Sequence, residues 1–196
     1  MPLFNLRETR SNENGRNRLI LPGESTFLPG EEYGYTADNE YAVSISSSGG
    51  EFSFALRLSA LPVPKTRRWT ERDEDKLKMG EMLAGMLSCR AVSEGRTAGI
   101  VIAERRKWNN SVFVEKLHVS KSFRNRGVGR ELIRAVETSA VLQGAEKISL
   151  ETQNTNPAAV NFYMKCGFEI TGLDTALYSG DECMGETAVF MTKQLK

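Results

Sequence analysis

The sequence predicts a mixed α/β fold built on a largely antiparallel sheet. Three observations support this fold class. Apolar runs at 87–92, 98–104 and 112–119 are joined by tight turns at 94–96 and 108–110, which is typical of an antiparallel meander. Two stretches of helical periodicity follow, and each precedes a strand-like run. The resulting order, β-β-β-α-β-α-β-β, is that of a mixed sheet that is antiparallel early, and it predicts a parallel, right-handed step from 112 to 152.

The first part of the chain gives weaker signals. Residues 1–40 are polar and rich in turn formers, so we expect irregular structure there. Residues 41–61 read as a hairpin turning at 47–50, and the prolines at 61–65 predict a break. A helix is predicted after Thr70, with methionines and a leucine at helical spacing up to residue 86. We therefore expect an N-terminal extension over 1–60, packed on a main domain over 61–196.

The later elements have clearer boundaries. Leu132, Ile133, Val136 and Ala140 share one face of the first helix, and Gly144 suits its end. A strand follows at 147–152. The second helix is predicted to start with Asn156 as N-cap and Pro157 as its first residue. Its apolar stripe would comprise Ala159, Phe162, Tyr163 and Cys166, with Gly167 at its end and late strands at 168–170 and 188–191.

Composition excludes several classes of function. The 196 residues are enough for one core, and a net charge of +1 argues against a general polyanion binder. The cysteines Cys89, Cys166 and Cys183 fit no zinc spacing, and the one histidine argues against a Ser-His-Asp hydrolase. No apolar leader or membrane-length apolar run is present. We therefore expect a soluble cytoplasmic protein with reduced thiols, without a bound metal.

The segment SKSFRNRGVGREL, residues 120–132, joins a strand to a helix and places two glycines among three arginines. A helix beginning near Gly127 leaves about four backbone N–H groups without intrahelical partners. Those donors suit a phosphate, and glycine lets an anion approach the backbone. Arg124, Arg126 and Arg130 add positive charge. The segment therefore predicts a diphosphate-binding loop.

Two alternatives remain open for this loop. A dinucleotide-binding fingerprint would place a small residue where Leu132 stands, although Glu151 lies near the expected ribose-binding offset. The loop could also be a plain strand–helix turn with solvated arginines. A P-loop is excluded, because the sequence has no GxxxxGK followed by Ser or Thr.

The loop Arg124–Gly129 resembles the R/Q-x-x-G-x-G/A signature of the GNAT superfamily of acyl-CoA N-acyltransferases. LHV at 117–119, Asn156-x-x-Ala159-x-x-Phe162-Tyr163 and Cys166-Gly167-Phe168 also resemble that family, in its usual order. The resemblance covers about 87–170. It implies a mixed, mostly antiparallel sheet with helices on both faces and strands that splay at the cofactor site.

A narrower resemblance is to streptothricin acetyltransferases, which acetylate an amine of a cationic antibiotic. KWNNSVFVEKLHV, LETQNTNPAAVNFYMKCGF, Asp174-Thr175-x-Leu177-Tyr178 and AVF at 188–190 carry it. One departure is Lys116, where that group typically has an acidic residue. The first 85 residues resemble the group only faintly.

The superfamily resemblance implies acetyl-CoA as donor and direct transfer to an amine, without a covalent enzyme intermediate. Pantetheine would lie against the backbone of Leu117 and Val119, where an N–H could stabilise the developing oxyanion. His118 lies between them, and a histidine in such a position more often has a packing role than a catalytic one. The implied cofactor-binding residues are Leu117, His118, Val119, Arg124, Asn125, Arg126, Gly127, Val128, Gly129, Arg130, Asn156 and Tyr163.

Two residues are candidates for proton transfer. An amine acceptor is protonated at neutral pH, and Glu115, a carboxylate in an apolar strand, could remove that proton directly or through water. The resemblance places the Tyr163 hydroxyl near the CoA sulfur, where it could protonate the departing thiolate. The alternatives are an exposed glutamate and a core aromatic. Cys166 lies on an apolar stripe and lacks a nearby histidine base, so packing is favoured for it.

A polycationic acceptor requires carboxylates and aromatic faces. The candidates are Trp108, Glu151, Asp174 and Tyr178, although Asp174 could organise a turn and Trp108 could belong to the core. A protein N-terminal or lysine acetyltransferase and a non-catalytic acyl-CoA-binding module are the alternative functions. We expect no nucleic-acid or membrane partner, and the N-terminal extension could form a homodimer.

Overall fold

The computed structural model describes residues 9–11, 18–22, 33–69, 87–180 and 183–195. The predicted helix after Thr70 lies outside these residues. The described strands and helices, in chain order, are β1 (Thr9–Ser11), β2 (Arg18–Pro22), β3 (Tyr33–Ser48), β4 (Glu51–Trp69), β5 (Cys89–Ser93), β6 (Arg96–Arg106), β7 (Ser111–Val119), α1 (Val128–Leu142), β8 (Lys147–Gln153), α2 (Pro157–Lys165), β9 (Glu169–Asp174) and β10 (Ala188–Gln194).

The chain divides into two compact units. The first comprises Met1–Glu31, Thr70–Ser149 and Gln194–Lys196, and the second comprises Glu32–Trp69 and Leu150–Lys193. None of the helices in the described part of the chain is long and apolar enough to cross a membrane.

In the first unit the strands lie in the order β1-β2-β5-β6-β7. All four neighbouring pairs are antiparallel, so the predicted β5-β6-β7 meander is confirmed. The expectation of irregular structure throughout 1–40 is wrong, because β1 and β2 extend this sheet. The apolar piece at 19–21 pairs with β5, from Leu19↔Val92 to Leu21↔Arg90. A single short apolar run is too weak a signal to predict a strand when the strand that it pairs with lies some 70 residues away.

Helix α1 packs against the meander through the face that its periodicity predicts. Leu132, Ile133, Val136 and Ala140 are all buried, as is Val128 in the first turn. The helix ends at Leu142, and Gly144 adopts a left-handed φ of 70° that suits a residue just beyond a helix. The packing places the start of α1 at the end of β7.

In the second unit β10 lies between β8 and β9 and pairs antiparallel with β9. The core includes Leu150, Val160, Val189 and Met191. Helix α2 begins as predicted: the Asn156 side chain accepts a hydrogen bond from Ala159 N at 3.1 Å, and Pro157 is the first helical residue. The predicted stripe is only partly right, because Ala159, Phe162 and Cys166 are half-buried whereas Val160 is fully buried.

Strands β3 and β4 form an antiparallel hairpin in this unit, closed by Gly49 and Gly50 with φ of 59° and 88°. The predicted hairpin is confirmed, but its strands are much longer than expected. The prolines at 61–65 do not end β4. They fall where the register shifts between Ala37 and Asn39, because proline cannot donate to the ladder and is tolerated at such irregularities.

The base of the hairpin is attached to the segment between β8 and α2. Tyr41 N donates to Asn154 O at 2.9 Å, and Asn154 Nδ2 donates to Tyr41 O at 3.0 Å. The Tyr41 hydroxyl donates to Asn161 Oδ1 on α2 at 2.8 Å. Asn154 also bonds Thr187 through its side chain, so this buried amide joins two backbone segments.

Candidate active site

The loop between β7 and α1 has the geometry of an anion-binding helix start. Gly127 is the N-cap and adopts a left-handed φ of 84°, and Asn125 has a φ of 58°. The first intrahelical bond runs from Glu131 N to Gly127 O at 3.1 Å. The N–H groups of residues 128–130 therefore have no intrahelical partner.

The charges around this loop are arranged by a buried phenylalanine. The Phe123 ring is buried, with the guanidinium carbons of Arg96 and Arg126 at 5.3 and 5.7 Å from its centroid. The side chains of residues 124–126 and of Arg130 are exposed. Arg124 Nε donates to Val119 O at 3.0 Å. The loop thus places the N–H groups of a helix start next to exposed positive charge, and its residues fit a diphosphate.

Strand β7 carries the predicted pantetheine-binding segment along its last three residues. Leu117 pairs with Val101, His118 with Ile100 and Val119 with Gly99. His118 is 8% exposed, which agrees better with a packing role than with a base. The Val119 carbonyl accepts the Arg124 bond, so it also helps to hold the loop.

Glu115 lies at a β-bulge. Ile102 pairs with Lys116 and Ala103 with Val114, so the β6–β7 register skips Glu115. Its side chain is exposed, and its Oε1 lies 3.2 Å from Arg106 Nη2. Arg106 also lies 3.5 Å from Glu104 Oε1 and stacks over Phe113, with its guanidinium carbon 3.6 Å from the ring centroid. Sequence reasoning missed Arg106, because the predicted strand ends at residue 104.

Lys116, the residue that departs from the acidic pattern, is half-buried. Burial lowers the pKa of its amine from 10.5 to about 8. Desolvation disfavours the charged form of a lysine, which explains the direction. Lys116 therefore holds its proton less tightly than a surface lysine.

In the second unit, Asn156 caps α2 and Tyr163 lies further along the same helix. Tyr163 is buried, and its ring makes edge contacts with Phe162 and Phe168 at centroid distances of 5.2 and 5.6 Å. Burial, reinforced by the charges of Cys166 and Glu151, raises the pKa of Tyr163 above its usual value. The hydroxyl therefore remains protonated across the neutral range, as a proton donor must.

Two of the predicted acceptor-binding residues are joined directly. The Tyr178 hydroxyl donates to the Glu151 carboxylate, and burial together with this bond raises the pKa of Tyr178. Asp174 Oδ1 accepts a hydrogen bond from Ala176 N at 2.8 Å. A bond of this kind organises a turn, which is the alternative role predicted for Asp174 from the sequence. Trp108 is 83% exposed in a short 3-10 turn of the first unit, so the core alternative for Trp108 is wrong.

Sequence reasoning also missed a buried carboxylate in the second unit. Glu186 Oε1 accepts from Arg67 Nε at 2.8 Å and from Thr155 Oγ1 at 2.7 Å, and lies 3.1 Å from Lys65 Nζ. The Tyr35 hydroxyl is 2.6 Å from Thr155 Oγ1. Burial alone would raise the pKa of Glu186, but the bonds from Thr155, Arg67 and Lys65 lower it. No local pattern marks Glu186, because its partners are distant in sequence.

Within each unit the predicted residues fall into groups. The first unit holds Trp108, Glu115, the backbone of 117–119 and the loop 124–130, whereas the second holds Glu151, Asn156, Tyr163, Asp174 and Tyr178. Among the described residues no group of three or more His, Cys, Asp or Glu side chains could hold a metal ion.

Comparisons with known proteins identify the family to which the chain is similar. The model of the acetyltransferase (GNAT) family matches residues 54–168. Streptothricin acetyltransferase from Streptomyces lavendulae is 28% identical over 178 residues, which cover 89% of this chain and 92% of that protein.

Two solved structures are similar over 91% of this chain and 99% of their own. One is a nourseothricin acetyltransferase, with a TM-score of 0.70 and 28% identity. The other is a putative streptothricin acetyltransferase from Bacillus anthracis str. Ames in complex with acetyl coenzyme A, with a TM-score of 0.74 and 26% identity.

Proposed function

Because the chain belongs to the acetyltransferase (GNAT) family, and is thus an acetyl-CoA-dependent N-acetyltransferase, we propose that its acceptor is a small cationic amine of the streptothricin type. The observation that carries this proposal is the extent of the similarity to streptothricin acetyltransferases. It covers 89% of the chain in sequence and 91% in structure, well beyond the 54–168 family match. Acceptor-binding segments usually lie outside the shared donor-binding core, so the wider match bears on the acceptor.

The loop at residues 124–130 binds the diphosphate of acetyl-CoA in this proposal. Its support is the set of N–H groups at the start of α1 and the exposed arginines beside them. The backbone of Leu117 and Val119 holds the pantetheine, and Asn156 adds a polar contact at the start of α2.

Glu115 is the proposed general base. The acceptor nitrogen must lose a proton before or as it attacks the thioester carbon, and an exposed carboxylate at a bulge can receive it directly or through one water. The new C–N bond forms as the C–S bond breaks. Tyr163 is the proposed acid, and its hydroxyl supplies the proton for the departing thiolate.

Glu151 is the proposed contact for an acceptor ammonium group, because its carboxylate is half-buried and held by Tyr178. A charge-assisted bond to an ammonium group is stronger where water is partly excluded. Asp174 and Trp108 remain candidates for further acceptor groups, the former through the oxygen that does not bond Ala176.

An acetyl-CoA consumption assay with streptothricin, a simple polyamine and a lysine peptide tests the proposal. We expect saturable turnover with streptothricin, and a Glu151→Gln variant should raise KM for that acceptor while KM for acetyl-CoA changes little. A Glu169→Gln variant, which removes an exposed carboxylate of the same unit, is the matched control. Turnover with the peptide alone would point to a protein acetyltransferase, and binding without turnover would point to an acyl-CoA-binding module.

A further inference from the structure

The outer half of the β3–β4 hairpin has one apolar face. In an antiparallel pair, directly opposed residues project to the same side of the ribbon, and the side alternates along each strand. Seven of the eight residues on one side are apolar or aromatic. This ribbon face consists of Tyr41↔Leu58, Val43↔Leu56, Ile45↔Phe54 and Ser47↔Phe52.

The opposite side of the same ribbon is small and polar. Its register pairs are Ala42↔Arg57, Ser44↔Ala55, Ser46↔Ser53 and Ser48↔Glu51, and the Ser46 and Ser53 hydroxyls are 2.7 Å apart. A strict alternation of this kind is the pattern of a strand pair with one side in water and one side covered.

The ribbon face is nevertheless exposed in the single chain. Phe52 is 73% exposed, Phe54 55%, Ile45 52% and Leu58 51%. These four side chains together present on the order of 400 Å² of apolar surface, which is at the scale that marks interaction sites. Side-chain hydrogen bonds and ion pairs tie the hairpin to the rest of its unit through Tyr35, Lys65 and Arg67 at the base and through Tyr41 at the inner end of the ribbon face. A two-stranded ribbon is marginal in water unless something packs on its apolar face.

We propose that a second copy of this chain covers the ribbon face, so that two hairpins pack face to face around a twofold axis. The face contains no charged residue, so it offers nothing to an acidic or basic partner, whereas an apolar surface of this kind is complementary to itself. Two stacked ribbons form a four-stranded sandwich with about 10 Å between the layers.

The available area is that of a weak, reversible dimer. The four most exposed side chains of two chains would bury about 800 Å² in total. Tyr41, Val43, Leu56 and the strand backbone bring the interface toward the ~1,200 Å² at which stable interfaces begin. The proposal does not depend on the acceptor, since the ribbon face lies outside the residues assigned to acetyl transfer.

Light scattering coupled to size exclusion, and sedimentation equilibrium, test the proposal on the full chain. The wild type should show twice the 21.8 kDa of one chain and dissociate on dilution. Phe54→Glu should weaken dimerisation at least about a hundredfold, because each copy would bury an unpaired carboxylate. Ala55→Glu is the matched control: it adds the same charge at the next residue, on the polar side, and should leave the dimer intact.

Circular dichroism and the thermal shift with acetyl-CoA establish that each variant is folded. If Phe54→Glu does not fold, Phe52→Ser provides a milder change on the same face, for which a clear weakening of the dimer is expected. A wild-type chain that stays monomeric at high concentration would overturn the proposal. A dimer that survives folded Phe54→Glu or Phe52→Ser, or a monomer that binds phosphatidylcholine vesicles through this face, would overturn it too.

Discussion

Glu115 lies at an irregularity in the backbone. The β6–β7 register skips it, and its carboxylate lies at the surface beside Arg106, in a strand whose neighbours Val112 and Val114 are buried. The sequence indicated the carboxylate as unusual in an apolar strand. It could not indicate the bulge, because one extra residue leaves no local signature in a run of β-formers.

Replacing Glu115 with glutamine should lower kcat at neutral pH about a hundredfold, with KM for acetyl-CoA little changed, since the variant loses the proposed proton acceptor and keeps the proposed donor site. Part of the loss should be recovered as pH rises toward the pKa of the acceptor amine. Steady-state kinetics over a range of pH measures both effects.

Glu104→Gln is the control, because it also removes a carboxylate that contacts Arg106. Its kcat should stay close to the wild-type value. Equal losses in the two variants would mean that the effect arises from Arg106 and not from a base.

Lys116 illustrates how burial acts on a single charge. With a pKa of about 8 when folded and 10.5 ordinarily, its amine binds a proton less readily in the folded chain. The free energy of unfolding therefore rises as pH increases from about 8 to 10.5. Below pH 8 the folded chain bears the full penalty of burying the charged Lys116 amine.

Lys116→Met should raise Tm more at pH 7 than at pH 10, because the penalty that it removes is largest at the lower pH. Thermal denaturation at both pH values measures this difference. Lys165→Met, which removes an exposed lysine at the end of α2, is the control and should change Tm little. A Lys116→Met gain that is the same at pH 7 and pH 10 would contradict the assignment.

At the scale of elements, the start of α1 was predictable because glycine, arginine and helical periodicity are all local signals. The left-handed N-cap at Gly127 gives the physical reason for one of those glycines: an L-residue there would be strained. Helix α2 was predictable for the same reason, since Asn156 and Pro157 specify its start.

Gly127→Ala should destabilise the fold by about 1 kcal/mol and raise KM for acetyl-CoA about tenfold, since strain at the N-cap would displace the N–H groups that we propose bind the diphosphate. Gly144→Ala is a matched control. Gly144 also has a left-handed φ, of 70°, with open space where a methyl group would be added, and it lies outside the loop. It should lose similar stability without any change in KM.

The hairpin shows where element boundaries fail. Local rules place a break at the prolines of 61–65, yet β4 runs from Glu51 to Trp69. The break is absorbed by a register shift opposite Ala37–Asn39, which only the pairing partner determines.

At the scale of the whole molecule, the contacts that sequence cannot reveal are those between distant segments. Glu186 bonds Arg67 from β4 and Thr155 from the β8–α2 segment, at sequence separations of 119 and 31 residues. It ties the hairpin to the segment that carries Asn156. A charged residue held in this way has no periodicity or spacing by which it could be recognised.

Glu186→Gln should lower the free energy of unfolding at pH 7 by about 3 kcal/mol, because it leaves two partly buried cations without their carboxylate. Since the pKa of Glu186 is lowered, its contribution is present above about pH 4.5 and is lost as pH falls. Urea denaturation should therefore show a weaker dependence on pH below 4.5 in the variant.

Glu169→Gln serves as the control, since it removes an exposed carboxylate of the same unit and should leave the midpoint nearly unchanged. If Glu186→Gln were as stable as this control at pH 7, the network would have no role in holding the hairpin.

By itself, the sequence determined the mixed α/β class, the β5-β6-β7 meander, both described helices and the position of the glycine-arginine loop, because each depends on neighbouring residues and on periods of two or 3.6. Tertiary structure alone decided the bulge at Glu115, the lowered pKa of Lys116, the place of β1 and β2 in the sheet and the Glu186 network. Those features depend on which distant segments meet and on how much water their meeting excludes, and neither quantity is encoded in any short stretch of the chain.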